Sequence, residues 1–209
     1  MKVLVTGASR GIGAALTADL LAAGHEVWTL SRQPGPGNWI ACDLRRPETF
    51  PDVVPSLPQL DAVIHSAGIW EETAFSDAYD FAARPARETL DIIAVNLAAP
   101  ILLTQALLPN LNAGARVVLI GSTSGLERIG RPEVAYNASK AGLRGAAEAL
   151  HLALKGQYPV TLVHLGDAAT LRDEAGLIPV ADIVSTVRLA LSLSARTYLP
   201  ELTIEPTGV

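Results

Sequence analysis

The 209-residue sequence lacks several features, and each absence narrows the class of protein. Its single cysteine, Cys42, cannot form an intrachain disulfide, so we expect a reducing, cytoplasmic setting. A net charge of −5 without any run of Lys or Arg argues against nucleic acid or an anionic membrane surface as a partner. The first apolar run is too short for a signal peptide, and no later run is expected to span a membrane.

The four histidines are too scattered to suggest a metal site. His25, His65, His151 and His164 show no metal-ligand spacing to one another or to Cys42. Structural roles are therefore expected for these side chains, and no metal is predicted.

Apolar and β-branched runs alternate with helical patterns along the sequence, in which 49% of residues are hydrophobic and 18% are charged. This length and composition fit a single globular domain over residues 1–209. Strands are predicted at residues 3–5, 26–30, 39–42, 61–65, 116–120, 160–165 and 197–204. Helices are predicted at residues 14–21, 47–55, 85–108, 133–156 and 178–194. The alternation predicts an α/β fold: a doubly wound parallel sheet of about seven strands with helices on both faces.

A glycine-rich turn joins the first predicted strand directly to the first predicted helix. It reads Thr-Gly-Ala-Ser-Arg-Gly-Ile-Gly over residues 6–13. Glycines at such a place permit a tight turn, the approach of a phosphate to the backbone, and close packing of helix on strand. The helix N-terminus then offers free amides to a pyrophosphate. We therefore predict a Rossmann-type, NAD(P)-binding domain. The loop residues predicted to contact the cofactor are Gly7, Ser9, Arg10, Gly11, Ile12 and Gly13.

The end of the second predicted strand indicates which dinucleotide binds. An acidic residue there would bind the 2′-hydroxyl of NAD, whereas this sequence has Ser31 and Arg32, and a guanidinium suits a 2′-phosphate. Arg10 offers a second positive contact, so NADP(H) is favoured and NAD(H) is the alternative. After the third strand, Asp43 and Leu44 place a carboxylate where the adenine would lie.

A tyrosine and a lysine four residues apart form the candidate catalytic pair. Tyr136 and Lys140 occur in a predicted helix, where positions i and i+4 share one face. A free tyrosine has a pKa of about 10, and a fixed cation beside it favours the phenolate. Tyr136 is thus a candidate general acid and base. In another predicted helix Asn96 interrupts an apolar pattern, and a buried amide needs hydrogen-bond partners.

In their order along the chain, these motifs resemble the short-chain dehydrogenase/reductase superfamily over nearly the whole sequence. The matching positions are the glycine loop at 6–13, Asp43, Ser66-Ala67-Gly68, Asn96, Gly121-Ser122, Tyr136, Lys140 and the segment from Gly166 to Thr170. The resemblance implies an oxidoreductase that interconverts a carbonyl and an alcohol on a small molecule, with hydride exchanged at nicotinamide C4. The NADP preference favours reduction. The resemblance also implies a homodimer or homotetramer, paired through the helices that bear the asparagine and the tyrosine.

The same resemblance assigns roles to the matching side chains. Tyr136 exchanges a proton with the substrate oxygen, while Lys140 binds the ribose hydroxyls and lowers the pKa of Tyr136. Ser122 donates a hydrogen bond to the substrate oxygen, and Asn96 holds a water that links Lys140 to solvent. The implied cofactor contacts are Asp43 to the adenine, Thr170 to the nicotinamide carboxamide and, by position, Ser66, Ala67, Gly68, Tyr136, Lys140 and Gly166.

The sequence departs from the family pattern at several places. Ser66 stands where an asparagine is usual, and Leu165 stands where a proline usually precedes the glycine. Ser122 lies 14 residues before the tyrosine, whereas 13 is usual, so Thr123 and Ser124 remain alternative catalytic hydroxyls.

These departures keep other functions under consideration. Little chain remains between residues 170 and 178 for a substrate lid, which predicts an open active site. A non-catalytic NADP(H)-binding sensor or regulatory protein is therefore the alternative to an enzyme, and substrate-dependent loss of NADPH distinguishes the two. A structural protein that binds no nucleotide is a third interpretation, but the glycine loop, Arg32 and Asp43 all follow strand ends and argue against it.

Overall fold

Seven strands form one fully parallel sheet in the computed structural model, which describes residues 1–126, 131–154, 156–169, 174–194 and 196–208. The strands are β1 (Lys2–Thr6), β2 (Glu26–Ser31), β3 (Asn38–Ala41), β4 (Leu60–His65), β5 (Leu111–Ile120), β6 (Val160–Leu165) and β7 (Glu201–Ile204). Their order across the sheet is β3-β2-β1-β4-β5-β6-β7, and every neighbouring pair is parallel. The predicted Rossmann-type sheet is therefore confirmed.

The order of the strands reverses at β1. The first three strands lie successively outward from β1, and β4 then returns to pair with the other side of β1, from Val3↔Ala62 to Thr6↔His65. The loops after β1 and β4 therefore leave the sheet in opposite directions, and a crevice opens between them at the carboxyl ends of the strands. In doubly wound sheets this is the place where a ligand binds.

Helices cover both faces of the sheet, because successive side chains of each strand point to opposite sides. They are α1 (Gly11–Ala22), α2 (Phe50–Val53), α3 (Ala86–Ile93), α4 (Ala99–Leu107), α5 (Val134–Ala153) and α6 (Val180–Ser192). On one face, α1 and α6 bury leucine, isoleucine and valine side chains against Val3 and Val5 of β1. On the other face, α2 and α4 pack against Leu4, while α5 packs against Val117 and Leu119.

The first helix ends at a glycine. Gly24 has a φ of +79°, a left-handed conformation that glycine adopts at little cost. Its amide donates to the Leu21 carbonyl oxygen, and the amide of His25 donates to the Leu20 carbonyl oxygen, both at 3.0 Å. This pair of hydrogen bonds is the Schellman motif, which stops the helix and turns the chain into β2.

Two strands begin more than one residue away from their predicted starts. β5 begins at Leu111 and β7 begins at Glu201, whereas the sequence predicts starts at 116 and 197. The sequence Asn-Ala-Gly at residues 112–114, which is typical of a turn, lies inside β5, where the pairing register with β4 shifts and Gly114 has a φ of +78°. An irregularity of this kind uses the same residues as a turn, so the local sequence predicts a break between elements.

The segment that contains α3 and α4 is more apolar than we expect from the sequence. An 18-residue window of the segment Ala86–Asn110 has a mean hydropathy of 1.8, so by length and composition alone the segment could span a membrane. The expectation that no later run approaches a span is therefore corrected. In the fold, Ile92, Leu103 and Leu107 of this segment are fully buried, so packing against the sheet explains the apolar composition.

Candidate active site

A crevice of about 780 Å³ lies at the carboxyl ends of the strands, between the loops after β1 and β4. The predicted site residues that line it are Gly7, Ser9, Arg10, Gly11, Ile12, Gly13, Ser31, Arg32, Asp43, Leu44, Ser66, Ala67, Gly68, Ser122, Tyr136, Lys140 and Gly166. Asn96 is buried behind this lining, and Thr170 lies outside the described residues. Motifs that are far apart in the sequence thus meet around one cavity.

Two glycines of the loop after β1 are required by close backbone contacts. A Cβ on Gly7, whose φ is +73°, would lie 2.6 Å from Ala67 Cα, and a Cβ on Gly13 would lie 2.5 Å from the Gly7 carbonyl oxygen. The Ser66 hydroxyl donates to the Thr6 carbonyl oxygen and so joins the loops after β1 and β4. Ser66 thus makes the connection between the loops, at a position where the family that the sequence resembles usually has an asparagine.

Two arginines face solvent at one end of the crevice. Arg10 and Arg32 are exposed, and neither guanidinium forms a hydrogen bond or an ion pair with another described residue. The Ser31 hydroxyl donates to the Gln33 carbonyl oxygen at 2.6 Å, so its proton is already engaged. Within the described part of the chain, this end of the crevice therefore offers two guanidinium groups to an anion.

Arg45, which is not among the predicted site residues, holds Asp43 in its carboxylate form. Arg45 donates to Asp43 Oδ1 from its backbone amide at 3.1 Å and from Nε at 3.0 Å, and it reaches Asp91 at 3.3 Å. The hydrogen bond from the Arg45 side chain holds the pKa of Asp43 below its ordinary value. An acceptor fixed in this way faces the crevice where the sequence places the adenine.

Tyr136 and Lys140 lie one turn apart near the start of α5. Lys140 Nζ is 5.7 Å from the centre of the Tyr136 ring and donates to the Ile120 carbonyl oxygen at 3.0 Å. Burial lowers the pKa of Lys140 to about 8. Burial also raises the pKa of Tyr136, against a hydrogen bond with the Ser122 side chain and the charge of Arg131. The expectation of a lowered pKa for Tyr136 is therefore wrong here, because the effect of burial outweighs that of the groups that lower it.

Three consecutive hydroxyl residues follow β5, and Ser122 is the one whose side chain acts to lower the pKa of Tyr136, against the larger effect of burial. Ser122 Oγ also accepts a hydrogen bond from the Ser124 amide at 3.1 Å, which fixes the turn. Thr123 and Ser124 line the crevice as well. The interaction with Tyr136 favours Ser122 over Thr123 and Ser124 as the hydroxyl that acts together with the tyrosine.

Asn96 lies in a π-helical turn, Ala94–Ala98, between α3 and α4. Its Nδ2 donates to the Ile69 carbonyl oxygen at 2.7 Å and to Ser139 Oγ at 3.1 Å, while its Oδ1 accepts from the Ile69 amide at 2.9 Å. The buried amide thus has the partners that the sequence analysis requires of it. These bonds fix the chain that leaves β4 against α5.

A cluster of aromatic rings forms the wall of the crevice next to Tyr136. Phe75 meets the Tyr136 ring edge-on at 5.3 Å and the Trp70 ring at 5.9 Å. Phe75 has a φ of +63°, uncommon for a residue other than glycine, and its amide donates to Glu133 Oε1 at 2.7 Å. Arg131 lies over the Phe75 ring, 5.6 Å from its centre. The sequence showed the aromatic residues of this segment but not which ring would face the site.

Rossmann-type domains bind a dinucleotide in the crevice that such a sheet and glycine loop form, and in this chain a serine, a tyrosine and a lysine line that crevice. The sequence of this chain supports the same class: the family model described as short chain dehydrogenase matches residues 1–172. The chain belongs to the short-chain dehydrogenase family, a family of oxidoreductases.

Relatives with named activities extend the match. D-xylose 1-dehydrogenase of Caulobacter vibrioides is 30% identical over 198 residues, which cover 85% of this chain and 76% of that protein. Short chain dehydrogenase ausX of Aspergillus calidoustus is 30% identical over 169 residues, which cover 70% of this chain and 60% of that protein. The chain therefore spans less than two thirds of the length of ausX and about three quarters of the xylose enzyme.

Solved structures share the fold over nearly the whole chain. BdcA in complex with NADPH has a TM-score of 0.85 at 21% identity, covering 99% of this chain and 93% of that one. A short chain dehydrogenase from Burkholderia cenocepacia J2315 in complex with NADP has a TM-score of 0.83 at 24% identity, covering 97% and 95%. The complex of 4-hydroxyisoleucine dehydrogenase with NADH has a TM-score of 0.83 at 22% identity, covering 98% and 97%. At these levels of sequence identity, the structural similarity establishes a shared fold.

Proposed function

We propose that the protein is an NADP(H)-dependent oxidoreductase that interconverts a carbonyl and an alcohol on a small molecule. The observation that carries the proposal is that Ser122, Tyr136 and the buried ammonium of Lys140 lie together in one crevice, with Lys140 Nζ 5.7 Å from the centre of the Tyr136 ring. These side chains line the same crevice as the glycine loop, so a dinucleotide bound at the loop would extend its nicotinamide toward them.

Tyr136 acts as the proton donor when a carbonyl is reduced. Because burial raises its pKa above the ordinary value of about 10, the phenol keeps its proton at neutral pH, as a donor to a carbonyl oxygen must. Ser122 donates a second hydrogen bond to that oxygen and fixes its position. NADPH, when bound, supplies the hydride that adds to the carbonyl carbon.

Lys140 stabilises the tyrosinate that remains after the proton has left, and it binds the ribose hydroxyls of the cofactor. We assign to Asn96 the role of holding a water that links Lys140 to solvent. Room beside Gly68 supports this assignment, since a Cβ there would lie 3.8 Å from Lys140 Nζ and 3.9 Å from Asn96 Oδ1.

The preference for NADP(H) rests on Arg10 and Arg32, since the solved structures of this fold contain either dinucleotide. Both arginines are exposed at the edge of the crevice, where a 2′-phosphate would gain charge-assisted hydrogen bonds. In the described chain, the carboxylate beside them, Asp43, is engaged by Arg45 and is not placed to select a ribose hydroxyl.

The cofactor is tested by titrating the purified protein with NADPH and with NADH, following the nicotinamide fluorescence. We expect NADPH to bind at least about tenfold more tightly, because a hydrogen bond to a charged group contributes about 1.5–3 kcal/mol. Arg32→Asp should remove this preference and leave the affinity for NADH nearly unchanged. Arg46→Asp is the matched control, because Arg46 is exposed, pairs with Glu48 and does not line the crevice.

Turnover is then measured with NADPH and a panel of aldehydes and ketones. The name of the Caulobacter relative makes D-xylose with NADP⁺ the first alcohol to try in the other direction. Tyr136→Phe should lower the rate by at least about a hundredfold while NADPH still binds. Binding without any consumption of NADPH would favour the sensor over the enzyme, and binding of neither dinucleotide would reject both.

A further inference from the structure

A buried histidine behind the Ser122 turn has no part in the proposed proton transfer. His164 lies on β6 with 0% of its surface exposed. Its Nδ1 is 2.9 Å from the Ser122 carbonyl oxygen, and its Nε2 is 2.7 Å from Glu201 Oε1 on β7. Both partners are acceptors, so the ring satisfies both only by donating from both nitrogens. A ring that donates twice is an imidazolium.

The charged groups around His164 favour that form. Glu201 Oε1 also accepts a hydrogen bond from Arg144 Nε on α5 at 3.0 Å, so this carboxylate oxygen lies between the histidine ring and a guanidinium. Lys140, also on α5, directs its ammonium to the Ile120 carbonyl oxygen and not to the ring. In the turn after β5, the contact to the ring is the Ser122 carbonyl oxygen, which carries no charge.

The His164 ring limits the size of the residue at position 121, directly before Ser122. A Cβ on Gly121 would lie 3.1 Å from His164 Nδ1 and 3.0 Å from Leu162 Cδ1. A larger residue at 121 would therefore push the ring away from the Ser122 carbonyl oxygen. The turn that carries the serine and the histidine behind it are packed as one unit.

We propose that His164 is a buried imidazolium that positions Ser122, and through it Tyr136, by donating to the Ser122 carbonyl oxygen and to the Glu201 carboxylate. Hydrogen bonds then run from Arg144 on the helix surface to the turn in the crevice. His164 does not line the crevice and is a positioning residue. Its catalytic consequence rests on the proposed function, whereas its charge does not.

The charge is tested by long-range ¹H–¹⁵N spectra of protein labelled with ¹⁵N-histidine at pH 8, where a solvated histidine with a pKa of about 6.5 is neutral. His164→Asn identifies the resonance among the four histidines. We expect two protonated ring nitrogens for His164 in the parent. In Glu201→Gln we expect one, because the glutamine amide donates to Nε2.

The matched control is Glu205→Gln, which removes the same charge from an exposed residue just after β7. It should leave the His164 spectrum unchanged. A neutral His164 ring in the parent at pH 8 would overturn the proposal, as would a ring that stays doubly protonated in Glu201→Gln.

The positioning role is tested by steady-state NADPH oxidation with 4-nitrobenzaldehyde as the probe carbonyl. His164→Leu should lower kcat between about tenfold and about a hundredfold with an unchanged Kd for NADPH, because a displaced Ser122 misaligns its hydrogen bond. His164→Asn should recover part of this loss, since its amide can donate near the place of Nδ1. Equal kcat values for the parent and His164→Leu would overturn the positioning role. A parent that oxidises no NADPH would instead count against the proposed function, and the spectra would still decide the charge.

Discussion

Burial of the Lys140 ammonium opposes the stability of the folded protein. The side chain makes one hydrogen bond, to the Ile120 carbonyl oxygen, and burial lowers its pKa from 10.5 to about 8. Between pH 8 and 10.5 the unfolded chain therefore binds a proton that the folded chain does not, so this group makes stability rise with pH across that window. Below pH 8, Lys140 is protonated in both the folded and the unfolded chain, so the cost of burying its charge fully opposes folding.

Lys140→Met should therefore stabilise the protein at pH 7. It removes the buried charge, keeps most of the volume and loses one hydrogen bond worth about 1 kcal/mol. We expect a net gain of about 1–2 kcal/mol in the free energy of unfolding, measured by urea denaturation. The gain should nearly vanish at pH 10, where the folded parent carries a neutral lysine. A variant less stable than the parent at pH 7 would contradict the burial argument.

At the scale of elements, the start of α5 is capped by a side chain from outside the helix. Glu133, the residue before the helix, makes no side-chain cap. Instead the buried Glu71 accepts at Oε1 from the Ala135 amide at 2.9 Å and from the Tyr136 amide at 3.3 Å. A carboxylate here satisfies two free amides and complements the positive end of the helix. Glu71 thereby fixes the turn that carries the candidate proton donor.

Glu71→Ala should lower the free energy of unfolding by about 1–2 kcal/mol, because two amides of the first turn lose their acceptor. The comparison is a urea denaturation curve of the parent beside Glu72→Ala. Glu72 is the neighbouring glutamate, and its side chain is exposed. If both variants unfolded at the same urea concentration, the cap would have no energetic role.

Local patterns were enough to predict most elements and much of the crevice. The glycine loop and the Tyr136/Lys140 pair act within a few residues of sequence, so their spacing alone indicates the chemistry. Contacts across the fold leave no such pattern: Arg131 binds Asp167 at 2.6 Å across 36 positions, and Glu71 lies 64 positions before the amide that it caps. Each of these side chains is ordinary in its own segment, and only the topology gives it a partner.

At the scale of the whole molecule, the helices beyond β4 carry an apolar outer surface. Leu90 of α3 is 64% exposed, Leu102 of α4 is 38% exposed and Leu152 of α5 is 70% exposed, while a Cβ on Gly145 of α5 would meet nothing within 4 Å. Apolar side chains on this surface, together with a glycine that permits close approach, favour association of two copies. We therefore propose that the homodimer or homotetramer forms through α4 and α5.

Gly145→Arg should dissociate this assembly, because it places a charged side chain in the proposed contact. Sedimentation velocity should show the parent as a dimer or tetramer and the variant as a monomer. Leu189→Arg is the control, since Leu189 is a half-exposed residue of α6, on the opposite face of the sheet. A parent that sediments as a monomer would reject the proposed association.

Both edges of the sheet are formed by short strands, β3 and β7, each of four residues. Strands of this length leave few unpaired amides and carbonyls, and the prolines at 36 and 206 cannot extend a hydrogen-bonded ladder beyond them. A foreign strand added to either edge would gain only a few hydrogen bonds. The sheet is thereby protected against edge-to-edge polymerisation into fibrils, although five longer strands lie between its edges.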